Sequence, residues 1–280
     1  GSGVDGVWLG EGTHHNVIGG DTPGERNVIS GNANAGVVLD NVHHNTVSGN
    51  FIGLDATGAA DLGNGGTGVG FAWGAYANIL GGDAAGERNV ISGNGGDGVN
   101  LANGSRDNQI IGNYVGTDAS GAAAIPNDYA GVCIAGEGQE NVIGGPWGSG
   151  GNLISGNAGH GVDLHGGGVS SNVISGNRIG TDARGRAALG NLLDGVSLSQ
   201  GAHDNVVGGI GAGAGNLISG NGESGVRFAG DATRGNTISG NAIGAGVNGS
   251  GALGNGERGV SITDGAGPNT IGPGNVIGFN

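Results

Sequence analysis

The sequence predicts an all-β chain wound as a right-handed, single-stranded parallel β-helix, a solenoid of about nine coils of 30–34 residues with three parallel sheets. One observation behind this is a phrase, Gly-Val-x-Leu/Ile/Phe, that begins at Gly6, Gly36, Gly68, Gly98, Gly131, Gly161, Gly195, Gly225 and Gly259. A second is the phrase Asn-x-Ile, with Val or Leu sometimes in place of Ile, which follows in each coil from Asn16 and Asn45 through to Asn269. The third is spacing: intervals of 30 residues alternate with intervals of 32–34, so two kinds of coil take turns. Self-similarity at a fixed period of this size marks a repeat architecture.

Each coil carries three short apolar stretches, such as Val37/Leu39, Val47 and Ile52 in the coil from Gly36. These are too short and too interrupted by Gly and Asn for helices, and Val and Ile favour strands. The two-residue period of a strand turns the Val and Leu of Gly-Val-x-Leu inward and the residue between them outward. One coil cannot bury its apolar side alone, so the coils must stack. Asn fills two columns, one opening each Asn-x-Ile and one four residues before each coil's Gly, from Asn32 and Asn64 to Asn255. Asn tolerates left-handed backbone angles, and stacked amides bond to one another along a column. Both columns read as structural.

Composition agrees with a repetitive, turn-rich chain. There are 73 glycines among 280 residues, a level that otherwise signals collagen or disorder. No three-residue period is present, and glycine's entropic cost on folding demands a geometric reason, which sharp recurring turns supply. Nine basic residues, all Arg, stand against 23 acidic ones for a net charge of −14. A polyanion would be repelled, which argues against nucleic acid as a partner; an acidic surface suits a secreted or cell-surface location. The single Cys133 excludes an intrachain disulfide framework, and no apolar run is long enough to insert into a membrane. Residues 1–280 are expected to form one β-helix domain, a segment of a longer repeat protein or one that associates head to tail with itself.

The repeated phrases resemble those of the pectin-lyase-like superfamily of parallel β-helices, which includes pectate lyases, alginate epimerases, tailspike-like proteins and many surface adhesins. The resemblance spans essentially the whole chain and implies the fold; because members differ widely in activity, it implies no single function. Lyases of this fold pair clustered carboxylates for Ca²⁺ with an Arg or Lys base, and glycosidases use two or three neighbouring Asp residues. The outward column of the first sheet holds only Asp163, with Arg227 two rungs away, so no family site carries over residue by residue.

Candidate sites remain on the outside of the solenoid. The 30-residue coils carry insertions at Asp21–Arg26, Asp83–Arg88, Pro146–Gly151 and Ile210–Gly215, and the longer coils at Leu54–Gly63, Thr117–Pro126, Thr181–Gly190 and Ala245–Gly254. As coils alternate, each set is expected to form a ridge with teeth about 9.6 Å apart, twice the strand spacing, and two ridges would flank a groove for an extended polymer. Asp55, Asp118 and Asp182 recur in the second set; the expectation is no cofactor, with Ca²⁺ the ion such oxygens would take. His14, His15, His43 and His44 fall on adjacent rungs of an exposed turn, which suggests a transition-metal site. Asp163 and His165 point outward from one strand, with Cys133 one rung before and Ser197 and Ser199 one rung after. A thiol, an imidazole and a carboxylate so placed suit nucleophilic or acid–base chemistry, with Arg227 as the nearest basic residue of the column. The sugar-stacking aromatics Trp8, Trp73 and Trp147 fall in different columns. Uniform repetition without a clustered site points to a non-catalytic structural or adhesive module; the alternative is an enzyme (lyase, epimerase or hydrolase) or a binding module acting on extracellular polysaccharide.

Overall fold

A computed structural model describes residues 4–145, 150–249 and 251–280. Trp147 and most of the Pro146–Gly151 insertion lie outside them. The chain forms three parallel sheets of nine strands each, and the strands of every sheet follow one another coil by coil. The first sheet runs from Val7–Gly10 to Val260–Thr263, the second from Val17–Gly19 to Thr270–Ile271, and the third from Val28–Ile29 to Val276–Ile277. The repeat phrases are in register: Val37 pairs with Val69, Val132 with Val162, and Val196 with Val226.

Inward residues form one apolar core along the axis. Val162 and Leu164 of the first sheet, Ile174 of the second and Ile179 of the third are fully buried in it. At the last coil the same columns end at Ile262, Ile271 and Ile277, which are exposed.

Asparagine does more than the sequence pattern announces, because there are three columns rather than two, one at each corner. In the first, Asn108 Nδ2 donates to Asn141 Oδ1 at 3.1 Å and Asn141 Nδ2 to Asn172 Oδ1 at 3.0 Å. In the column before each coil's Gly, Asn127 donates to Asn157 and Asn157 to Asn191, at 2.9 and 2.8 Å. The unforeseen column precedes the third strand of each coil, where Asn113 donates to Asn152 and Asn152 to Asn177, at 3.2 and 2.9 Å. Amides inside the stack also donate to main-chain carbonyls, as Asn141 Nδ2 does to Ser105 O at 3.0 Å, and so satisfy buried carbonyls at the corners.

Glycine before Val has a different purpose from the expected sharp turn. A Cβ on Gly161 would sit 2.6 Å from Ile179 Cγ2 and from Gly195 O, and 2.8 Å from Asn191 Nδ2. The backbone here passes directly over an Asn column and the core, and only a hydrogen atom fits.

The insertions depart from the toothed ridges expected above. Those of the longer coils fold back as small antiparallel loops (Leu54 pairs with Asp61, Thr117 with Ala124, Thr181 with Ala188) and bond directly to one another. Ala119 N donates to Gly58 O at 2.9 Å, Ala183 N to Gly121 O at 2.9 Å and Val247 N to Gly185 O at 3.1 Å. Each loop leans across the intervening short coil and packs on the outward residues of the third sheet; Gly121, for instance, lies against Tyr114 and Leu153. The result is a chain of linked loops over the middle of that sheet, while Val28 and Val276 at its two ends stay exposed. A groove of about 590 Å³ lies over the first sheet.

Candidate active site in a groove on the first sheet

The outward column of the first sheet is in register from Asn100 through Cys133, Asp163, Ser197 and Arg227 to Ser261. Beside it runs the corner turn that links each third-sheet strand to the next first-sheet strand, and the residue just before the coil's Gly in that turn is Asp97, Ala130, His160 and Asp194 in successive coils. Strand and corner together enclose a groove of about 590 Å³ over coils four to seven, lined by Asp97, Asp128, Tyr129, His160, Asp163 and His165 among others.

Asp163 and His165 lie on one face of the strand Val162–His165, and Asp163 Oδ2 is 2.9 Å from His165 Nδ1. That hydrogen bond raises the imidazole above its ordinary value, against the opposing effect of burial. Cys133, one rung away, brings its sulfur within 4.8 Å of ligand atoms of both. Burial, with the Asp97 and Asp163 carboxyls nearby, pushes the Cys133 thiol well above its ordinary range. The nucleophilic role considered for Cys133 therefore meets a physical obstacle: the reactive species is the thiolate, and the free thiol is held neutral here.

The corner supplies what reading the strand column alone misses. Burial raises Asp97, although its Oδ2 accepts from Asn100 Nδ2 at 2.8 Å and its Oδ1 from Ala130 N at 3.0 Å. Asp194 is buried, 1% exposed, and its Oδ1 accepts from Ser224 N at 2.9 Å. Its other oxygen lies 3.4 Å from His160 Nδ1, and burial raises this carboxyl too. Asp5 plays the same capping part for Ala35 N at the first coil, so Asp before Gly fastens one coil to the next, and at coil four this fastening also brings a carboxyl to the groove. The signal was present in the sequence as a single extra column, one residue before each coil's Gly.

Arg227 does not join the group. It lies two rungs beyond Asp163 and pairs with Asp264 at 3.5 Å. Asp55, Asp118 and Asp182 spend their oxygens on their own loops: Asp55 Oδ1 accepts from Ala59 N and Ala60 N at 3.1 Å, and Asp118 and Asp182 do likewise with Ala122/Ala123 and Arg186/Ala187. In all three loops Oδ1 is thus engaged by the loop's own main chain.

The four histidines are gathered in one patch, as the register required. His14 and His43 stack with centroids 5.0 Å apart, His15 and His44 at 5.3 Å, and His43 continues onto Tyr76 at 4.9 Å. Within each rung the Nδ1 atoms meet at 2.7 Å (His14–His15) and 2.9 Å (His43–His44). Stacking keeps the ring planes of successive rungs nearly parallel, with interplanar angles of 12° and 13°. Among the described residues, Cys133, Asp163 and His165 are the group of three whose ligand atoms lie within 4.8 Å of one another. His15 and His44 hold positive φ angles of 58° and 56°, a turn position that Ala77, Asp107, Glu140 and Ser171 fill in later coils.

No family model and no curated protein matches the sequence. Among solved structures the chain is similar to two A-modules of mannuronan C-5 epimerases from Azotobacter vinelandii. For AlgE4 the identity is 19% and the TM-score 0.45, over 88% of this chain and 56% of that one. For AlgE6 they are 19% and 0.46, over 97% of this chain and 77% of the other. The chain thus spans a little over half the length of the first of these modules. With three nine-stranded parallel sheets closed around a single core, the chain is a parallel β-helix.

Proposed function

We propose that the groove over coils four to seven is the active site of an enzyme that acts on a neutral polysaccharide by acid–base chemistry. The observation that carries this is the Asp163–His165 pair, 2.9 Å apart on one rigid strand and facing a groove of about 590 Å³. Asp163 holds Nδ1 and so fixes the ring, which leaves Nε2 as the atom that exchanges a proton with a substrate. Asp97, whose carboxyl burial raises, adds a second acidic group on the corner wall of the same groove. The non-catalytic reading rested on the lack of a clustered site, and the corner residues remove that ground.

Substrate class follows from charge. Among the described residues no Arg lines the groove, whereas Asp128 and Asp163 do, so a polyuronate would meet like charge. Tyr129, exposed on the rim, offers an apolar face for a sugar ring, and a groove crossing several coils suits a chain longer than one sugar. A secreted or cell-surface location accompanies such a substrate.

The test is turnover in heavy water of neutral glucans and mannans beside a polyuronate. Chain shortening reports hydrolysis, new unsaturated ends report elimination, and deuterium on a sugar carbon without shortening reports epimerisation. Asp163→Asn is expected to lower kcat by about 10²–10⁴-fold. Unaltered glycans throughout, or full activity in Asp163→Asn, would overturn the proposal.

A further inference from the structure

The donor set at the groove floor is unusual for an acid–base site. Cys133 and Asp163 are register partners on adjacent strands, and His165 lies two residues along from Asp163 on the same face. Three chemically different ligands, S, O and N, are thus presented by the stiffest part of the solenoid. A thiol contributes nothing to binding a hard cation such as Ca²⁺, which takes oxygen, but S/N/O donors suit Zn²⁺ and its neighbours.

Distances support the fit. With Zn–N and Zn–O near 2.0–2.2 Å and Zn–S near 2.3 Å, ligand atoms around a tetrahedral zinc stand about 3.3–3.6 Å apart. The Asp163–His165 edge is already 2.9 Å, and the sulfur lies within 4.8 Å of both partners. The remaining coordination position faces the groove, with Asp97 and His160 on its wall.

We propose that Cys133, Asp163 and His165 form a zinc-class metal site at the floor of the groove. Binding forms a Zn–S bond as the Cys133 S–H bond breaks, the proton passes to the buffer, and no electron is transferred. A bound ion occupies Asp163 and His165, so zinc acts as a reversible inhibitor of the acid–base chemistry. The inhibition rests on the function proposed above; the binding does not.

The experiment is calorimetric titration of the chain, treated with chelator beforehand, with ZnCl₂ in buffers of different ionisation enthalpy, alongside CoCl₂ followed by absorbance. Cys133→Ser removes the soft ligand at little structural risk, since Ser197 and Ser261 are buried in the same column. His43→Asn/His44→Asn controls for the stacked histidines on the exposed turn. The expected result is one tight zinc, about one proton released per ion, and a cobalt–thiolate charge-transfer band. All three are retained in the histidine variant, while Cys133→Ser loses the band and at least about 100-fold in affinity. Equal affinity in Cys133→Ser, or zinc binding lost only in the histidine variant, would overturn the site. Thiolate-dependent binding that leaves glycan turnover unaffected would uphold the metal site and overturn the acid–base role of Asp163 and His165.

Discussion

Replacing Asn141 by Ala tests whether the asparagine columns hold the coils together. Asn141 is fully buried and makes four side-chain hydrogen bonds. Its Oδ1 accepts from Asn108 N and Asn108 Nδ2, both at 3.1 Å, and its Nδ2 donates to Ser105 O and Asn172 Oδ1, both at 3.0 Å. After truncation, Ser105 O still accepts from Gln139 N, Asn172 Oδ1 from Asn141 N, and Asn108 Nδ2 still donates to Ala75 O. Each of those losses costs about 1 kcal/mol. Asn108 N–H has no other partner, and an orphaned buried donor costs about 1–3 kcal/mol. The expected destabilisation is about 4–6 kcal/mol, a large share of a typical folding free energy of about 5–15 kcal/mol. Asn269→Ala at the last rung removes three bonds, from Asn236 N and Nδ2 and to Thr233 O, but that side chain is only partly buried, so water takes over part of them and the cost should be about 1–3 kcal/mol. Native-state hydrogen exchange suits this better than one melting curve, since long repeat arrays need not unfold as a unit. Loss of protection should centre on the strands Gln109–Ile111 and Val142–Gly144. A cost within about 1 kcal/mol of Asn269→Ala would refute the claim that column amides are the coil-to-coil fasteners.

Gly161→Ala should destabilise by about 1–3 kcal/mol through overpacking, whereas Gly70→Ala, with nothing within 4 Å of the added carbon, should be neutral or slightly stabilising in the same urea titration. Asp194→Asn keeps an oxygen for Ser224 N and removes a buried charge. Because burial raises the folded-state carboxyl above 3.8, in a setting where His160 and Arg227 oppose the rise and Glu223 adds to it, its penalty is absent at low pH and grows as pH rises through the folded value. The variant should therefore match the wild type near about pH 3 and exceed its stability near about pH 7; the reverse order would contradict the burial argument. Gly121→Val should strip the cover from Tyr114 and Leu153, read as faster exchange at Ala183 N, since its φ of 67° and close neighbours leave no room for a branched side chain.

The solenoid was legible because its period is carried by residues with fixed jobs, Val and Leu inward and Asn at the corners. The third Asn column escaped notice for a physical reason. Insertions fall alternately before and after the third strand, so Asn27, Asn50 and Asn89 are separated by 23 and then 39 residues although they occupy successive rungs. The site was half legible. Asp163, His165 and Cys133 share a strand face that alternation exposes, but Asp97, His160 and Asp194 lie on the corner, where side-chain direction follows turn geometry rather than a period of two. The loops misled in the other direction: equal spacing suggested separate teeth, and only the main-chain bonds from Ala119 to Gly58 and from Ala183 to Gly121 reveal that they are linked.

Hydrogen exchange of the intact protein, with and without a neutral oligosaccharide, tests most directly whether this groove is where the molecule acts. Added sugar should slow exchange in the strands Val132–Ile134 and Val162–His165 and in the Tyr129 turn, and Asp163→Asn should retain that protection while losing turnover. Protection that appears only around the stacked His14, His43 and Tyr76 turn, or nowhere, would contradict the assignment.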